Sequence, residues 1–429
     1  DRYVRLVKSK PDPTDERLAI PRGDGAALVP YDLTASRISE IFEIGDKTYT
    51  TLELSKLLMQ KMPCDALTYW GSVYYNVFKG SSGVTALQQI FDIQSREEAI
   101  QLGTMLQTKQ YMNHVTGDHK FGDNGYYFRL QPFHEPSVLN SFHVWSHDPA
   151  NDSPMYVIHR LGKLWSKLES NHLNENGLVD HAKLREDELY LIFQLDVCEL
   201  QHISLKDMDA KTKMAFVMNL YNLIIKYAFC KLGVPATNSN RAAFFDGVSV
   251  NLGGSIYSFN DLEHGILRGN IRHPYQLSKP FGPRDARREF ALKECDPRLH
   301  FALNCGAKSC PPVKKYNPEA IEEELRLSAM AFCDQDDNVA IDEENCQLHL
   351  SKILYWYMTD FVPSKDDLPR KIEQYLRGER KKQLKRMTQK GRVAVKFLDY
   401  DWSSNNDINS LTFKKIDLSS KSNILYHHK

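Results

Sequence analysis

No stretch of this 429-residue chain approaches the roughly 20 consecutive apolar residues that cross a bilayer, so no membrane-spanning helix is predicted. Neither charge is in surplus. Lys and Arg total 55 and Asp and Glu total 55, which removes the broad positive field of a nucleic-acid binder. Cysteine is scarce, with eight residues and no Cys-x-x-Cys among them. That excludes a small disulfide scaffold and the usual motif of thiol oxidoreductases. Cys198 and Cys230 lie in apolar runs, as reduced core cysteines do, so a reducing cytoplasmic setting is expected. Internal repeats and low-complexity tracts are absent. The opening DRYVRLVKSKPDPTDER has no initiating Met and no apolar signal core, and reads as a linker cut from a longer parent. What remains is 42% hydrophobic and 26% charged, ordinary for globular protein and too long for one core.

The chain divides into a Pro/Asp/Gly-rich linker (1–35), a compact α+β unit (36–133), a polar connector (134–160), a larger domain (161–407) and a loose tail (408–429). TTLELSKLLMQKM has apolar residues at helical spacing, with Thr51 as its expected cap. In SREEAIQLGTMLQTKQYMNHV, Ser95 and Glu98 have capping-box spacing, and Ala99, Leu102 and Leu106 form a stripe. YYFRL reads as a closing strand. The run from Ser95 to Leu130, with its capped helix, His-Val turn, Phe-x-Asp and tyrosine-rich strand, resembles the second half of a DEP domain. That resemblance implies a winged-helix-like signalling module that docks on membranes or partner proteins.

In the larger domain, MAFVMNLYNLIIKYAF is apolar almost all round, so its helix is expected to be buried. Asn219 and Asn222 share one side of it and need partners, because an unpaired buried amide costs about 1–3 kcal/mol. They either pin a loop or orient a catalytic group. Gly253-Gly254 between two alternating runs predicts a hairpin. Ser258 and Asp261 then cap a short helix bearing Glu263 and His264, and His264 is a candidate base. RLHFALN reads as a buried strand beginning at His300, and CGAKSCPP as the turn that leaves it. NPEAIEEELRLSAMAF follows as a helix capped by Asn317, with Ile321, Leu325, Ala329 and Phe332 buried.

Cys305 and Cys310 therefore sit in a loop of small residues between a core segment and a helix. Four readings compete there: a zinc site completed by His264 and His300, a redox disulfide, a nucleophile served by a histidine, and plain packing. The ordered set MNLYNL, FNDLEHGILRG, LHFALNCGAKSCPPVKKY, LSKILYWYMTDF and LDYDWSSNN resembles the family called domain of unknown function 547. The resemblance implies a papain- or transglutaminase-like fold of helices on a small antiparallel sheet. It also implies a cysteine-dependent hydrolase or acyl-transferase acting on an amide or ester of a peptide or small molecule. The positions carried over are Asn219, Tyr221, Asn222, Glu263, His264, His300, Cys305 and Cys310. Cysteine after the buried helix is not the papain order, and a catalytically silent scaffold is the alternative.

The geometry expected is a strand from His300 that delivers Cys305, the favoured nucleophile, to a cleft. Asn219 and Asn222 line that cleft, and one sulfur stands within about 4 Å of His264 or His300. No cofactor and no metal is expected. Ten Lys or Arg lie between Lys371 and Lys396 against Glu373 and Glu379. This segment is expected to be a solvated helix face or a contact for an anionic membrane or signalling protein, with peripheral membrane association and no nucleic acid.

Overall fold

The computed structural model describes residues 40–403 apart from 70–71, 110, 116–118, 131–136, 141–152 and 275, together with the strand segments Val4–Lys8, Ala19–Ile20, Val29–Pro30 and Thr412–Phe413. It is an α+β chain with an N-terminal unit and a larger, mainly helical one. In the first unit, helix Thr51–Lys61 is capped by Thr50 rather than Thr51. Thr50 Oγ1 accepts from the Glu53 N–H at 3.2 Å, and the Glu53 carboxylate accepts from the Thr50 N–H at 2.9 Å. Helix Arg96–Thr108 starts at Ser95, as its spacing predicts, with Ala99, Leu102 and Leu106 buried. Strand Tyr127–Leu130 closes an antiparallel sheet in the order Asp65–Tyr69, Ser72–Lys79, Tyr127–Leu130, Met112–His114. Phe42, Leu54, Leu58, Phe78 and Phe128 fill the core between helices and sheet. Strand Val4–Lys8, inside the expected linker, pairs with Glu40–Ile44. Backbone pairing needs no distinctive composition, which is why the segment reads as linker.

The second unit is built around helix Ala210–Leu232, buried along nearly its whole length. Asp209 caps it through the N–H groups of Lys211 and Thr212. The hairpin Ser249–Leu252/Ser255–Ser258 forms with Gly253 and Gly254 both at positive φ, as a two-residue turn of that twist requires. The described residues of the expected connector, 137–140 and 153–160, pack with this unit. Asn140 is fully buried, donates to the Asn251 carbonyl and accepts from the Asn251 N–H, both at 2.8 Å. Helix Pro154–Asn171 also begins inside it. At the other end, Thr412–Phe413 pairs with Val234–Pro235, and Phe413 packs on Phe244, so the expected tail is anchored there. A smaller cluster backs a sheet of Val339–Asp342, Gln347–Leu350 and Ala394–Phe397, antiparallel then parallel.

Two local expectations are overturned. Pro297–Phe301 is a 3-10 turn, not a strand. Asp296 accepts from the Arg298 N–H and Pro297 takes the first helical position, a start signal that outweighs a short apolar run. Asn317 does not cap the next helix, which runs Ile321–Cys333, because Glu324 takes both its N–H and its side-chain amide. The stripe of Ile321, Leu325, Ala329 and Phe332 is buried as expected. Within the basic segment, Arg377 pairs with Asp334, Arg380 with Asp336 and Arg386 with Glu343, so its arginines brace the fold, while Lys381, Lys385 and Lys390 stay exposed. Among the described residues no helix is long and apolar enough to cross a membrane.

Candidate active site

A cavity of about 360 Å³ opens beside the long helix, with Phe245, Trp356, Tyr400 and Trp402 among its aromatic walls. Cys305, Cys310, His264, His300, Glu263 and Tyr221 all line it. The loop that carries the thiols is held from the helix. Asn222 donates to the Ala302 carbonyl and accepts from the Asn304 N–H, both at 2.9 Å. Asn219 holds the Tyr316 backbone in the same two-way manner, at 2.7 and 3.0 Å. Both amides are thus absent from the cavity wall, contrary to expectation. Backbone groups that leave regular structure at a buried site need partners, and these amides supply them.

Gly306 turns the loop at φ +83°, and a Cβ there would run into the Phe229 ring. Gly306→Ala is therefore expected to destabilise the chain by about 2–4 kcal/mol, combining αL strain with overpacking, and to lower thiol reactivity. Chemical denaturation and thiol titration of the variant check this.

The loop brings the two sulfurs to 2.9 Å of each other, and the Cys305 N–H points at Cys310 Sγ at 3.2 Å. The Tyr400 hydroxyl lies 3.2 Å from Cys310 Sγ and 3.7 Å from Cys305 Sγ. Burial would raise the Cys310 thiol. Donation from Cys305, Tyr400 and the backbone outweighs burial and brings it down to about 7. Cys305 moves the other way, well above its ordinary value, through the hydrogen bond to Cys310 and burial. The surroundings therefore favour a thiolate at Cys310 over one at Cys305, the sulfur the sequence favoured. Tyr400→Phe removes one donor and is expected to slow Cys310 alkylation near neutral pH by about 3- to 30-fold. Site-resolved alkylation rates check this.

On the facing wall is a buried polar network. Arg268 grips Asp360 with two hydrogen bonds, at 2.6 and 2.8 Å. Its third nitrogen donates to His264 Nδ1 at 3.0 Å, and His300 Nε2 meets Asp360 Oδ2 at 2.8 Å. Burial pushes His264 down to about 3 against the pull of Glu263, and burial lowers His300 too despite Asp360. Both imidazoles are neutral at pH 7. An Arg donor at Nδ1 leaves the His264 proton on Nε2, and a carboxylate at Nε2 leaves His300 Nδ1 bare. Burial alone would raise Glu263. Against burial, the charge of His264 and His300 when they are protonated, the hydrogen bond from the Tyr357 hydroxyl at 2.6 Å and the Arg268 guanidinium hold the carboxyl below its ordinary value. Tyr221 also donates to Glu263, at 3.3 Å.

Apart from Asn219 and Asn222, the predicted residues thus fall into two groups that share a cavity. Neither sulfur hydrogen-bonds to an imidazole; the sulfurs bond to each other, to Tyr400 and to the loop backbone. The considered zinc set of His264, His300, Cys305 and Cys310 does not converge. Donor atoms of Cys295, His300 and Asp360 do lie within 4.8 Å of one another. A cation fits poorly there, because Arg268 already occupies both Asp360 oxygens and burial pushes the Cys295 thiol up to about 12. Sequence reasoning missed Arg268, Tyr357, Asp360 and Tyr400. The signal for Asp360 was a lone carboxylate within the apolar run LYWYMTDFV.

Fold and site define a two-unit α+β chain with a thiol-bearing, aromatic-walled cavity in its second unit. Residues 53–130 match the "Domain found in Dishevelled, Egl-10, and Pleckstrin (DEP)", and residues 205–333 match the family "Protein of unknown function, DUF547". The chain carries a DEP domain followed by a DUF547 domain. Over 82 residues it is 34% identical to the vacuolar membrane-associated protein iml1 of Emericella nidulans, a match that covers 19% of this chain and 4% of that protein.

Proposed function

We propose that the second domain is a cysteine-dependent hydrolase or acyl-transferase of papain- or transglutaminase-like ancestry, with Cys310 as nucleophile. The observation that carries this reading is the Cys310 sulfur, which takes donors from Cys305 and Tyr400 and faces a cavity that also holds a His300–Asp360 dyad. The thiolate attacks an acyl carbon bound between the two walls, the C–N or C–O bond breaks, and the departing amine or alcohol takes a proton from water as the thioester forms. The His264 Nε2–H is a fixed donor for the resulting oxyanion. His300, oriented by Asp360, accepts at Nδ1 the proton of the water or alcohol that later attacks the thioester. Glu263, Tyr357 and Tyr221 hold the imidazole wall in place. The separation of the imidazoles from the sulfur leaves room for the group being cleaved.

The DEP domain, on this reading, brings the site to a signalling partner or an anionic membrane. The membrane association in the name of the Emericella nidulans protein and the exposed lysines 381, 385 and 390 support that role. The competing reading is a silent binding pocket, favoured by the missing sulfur–imidazole hydrogen bond. A panel of activated esters and amides decides between them. Acylation of Cys310, seen by peptide mass and followed by turnover, supports the enzyme. A chain that no member of the panel acylates is the scaffold.

A further inference from the structure

Two sulfurs at 2.9 Å are closer than reduced cysteines need to be for packing, and both belong to one six-residue loop on a cavity wall. A disulfide bond is about 2.05 Å long, so less than an ångström of movement joins them. Gly306, at positive φ, already folds the loop back on itself. The other described cysteines show no such pairing; Cys198 and Cys230, for example, donate to backbone carbonyls in the core. We propose that Cys305 and Cys310 are a thiol–disulfide exchange couple, oxidised and reduced through Cys310 by a low-molecular-weight disulfide.

The Cys310 thiolate attacks one sulfur of the disulfide R–S–S–R, forms a mixed disulfide and expels one thiolate, which takes a proton from water. Cys305 then gives up its proton and attacks Cys310 Sγ. The mixed disulfide breaks, the second R–S leaves as thiol, and the Cys305–Cys310 bond closes. Two electrons pass from the pair to the small disulfide. Attack at Cys310 comes first because it carries the N–H and Tyr400 donors that stabilise a thiolate. The couple uses the sulfurs of the proposed acyl chemistry but does not rest on it. Its oxidised form simply lacks the nucleophile.

The test treats the full chain with glutathione disulfide, blocks free thiols with N-ethylmaleimide and maps each cysteine by peptide mass. The expected result is an internal Cys305–Cys310 disulfide that dithiothreitol reverses, with Cys198 and Cys230 still thiols. In Cys305→Ser the reaction should stop at a mixed disulfide on Cys310. In Cys310→Ser, Cys305 should react roughly tenfold or more slowly. Two outcomes overturn the proposal: both cysteines stay open to maleimide, or the wild-type chain stops at a mixed disulfide. The wild-type result alone decides, so a poorly folded variant leaves the test intact. No acyl substrate enters it, so it stands or falls apart from the hydrolase reading.

Discussion

Cys310→Ser is expected to lower kcat/KM for an acyl substrate by at least about 10⁴-fold, the scale at which loss of a nucleophile acts. Serine keeps the shape of the loop but is never a thiolate near pH 7, so the loss is chemical. Cys305→Ser should cost far less, about tenfold. It removes one hydrogen bond to the Cys310 sulfur and leaves the Cys305 N–H and Tyr400 donors in place. The order of the two variants discriminates between the sulfurs. Equal losses, or a larger loss in Cys305→Ser, would reverse the assignment.

Asp360→Ala is expected to cost the fold about 3–5 kcal/mol, measured by urea denaturation, because it strands a buried guanidinium. The Arg268 and Asp360 side chains are each only 2% exposed, and Asp360 also anchors His300. A change below about 1 kcal/mol would mean the network contributes little. The same network fixes the acid limb of stability. Burial holds His264 at about 3 against an ordinary 6.5, so below pH 6.5 the unfolded chain binds a proton that the native one refuses. Stability therefore falls as pH drops from about 6.5 toward 3, and His300 acts in the same direction. Burial alone would raise Asp360, but His300 and Arg268 hold it well below its ordinary value, so its contribution is present above about pH 4 and is lost in stronger acid. Denaturation between pH 4 and 8 should show a steady fall on the acid side of 6.5. A flat profile there would contradict neutral, buried imidazoles.

Much of this was legible in the sequence because it rests on local chemistry. The Gly253-Gly254 hairpin, the Ser95 cap and the buried helix around Asn219 follow from turn residues, caps and apolar period. The thiol loop was legible through its small residues and its two cysteines. What was hidden came from long range. His300 was found, but the apolar letters of LHFAL masked the Asp296-Pro297 start of a turn. Asn219 and Asn222 were recognised as buried amides, yet whether they face backbone or cavity depends on a loop about 80 to 100 residues away. Asp360 lies 60 residues from His300 and 92 from Arg268, so no local pattern joins them. The preference between the two cysteines rests first on the hydrogen bond they share and then on Tyr400, 90 residues from Cys310.

The central claim is that the loop makes Cys310 a thiolate at neutral pH inside the shared cavity. The most direct measurement is the rate of iodoacetamide alkylation of each cysteine, resolved by peptide mass, from pH 5 to 10. The Cys310 rate should rise to half its plateau near pH 7, while Cys305 and Cys295 stay slow until far more alkaline pH. A Cys310 midpoint at 9 or above, or a Cys305 midpoint below that of Cys310, would contradict the account.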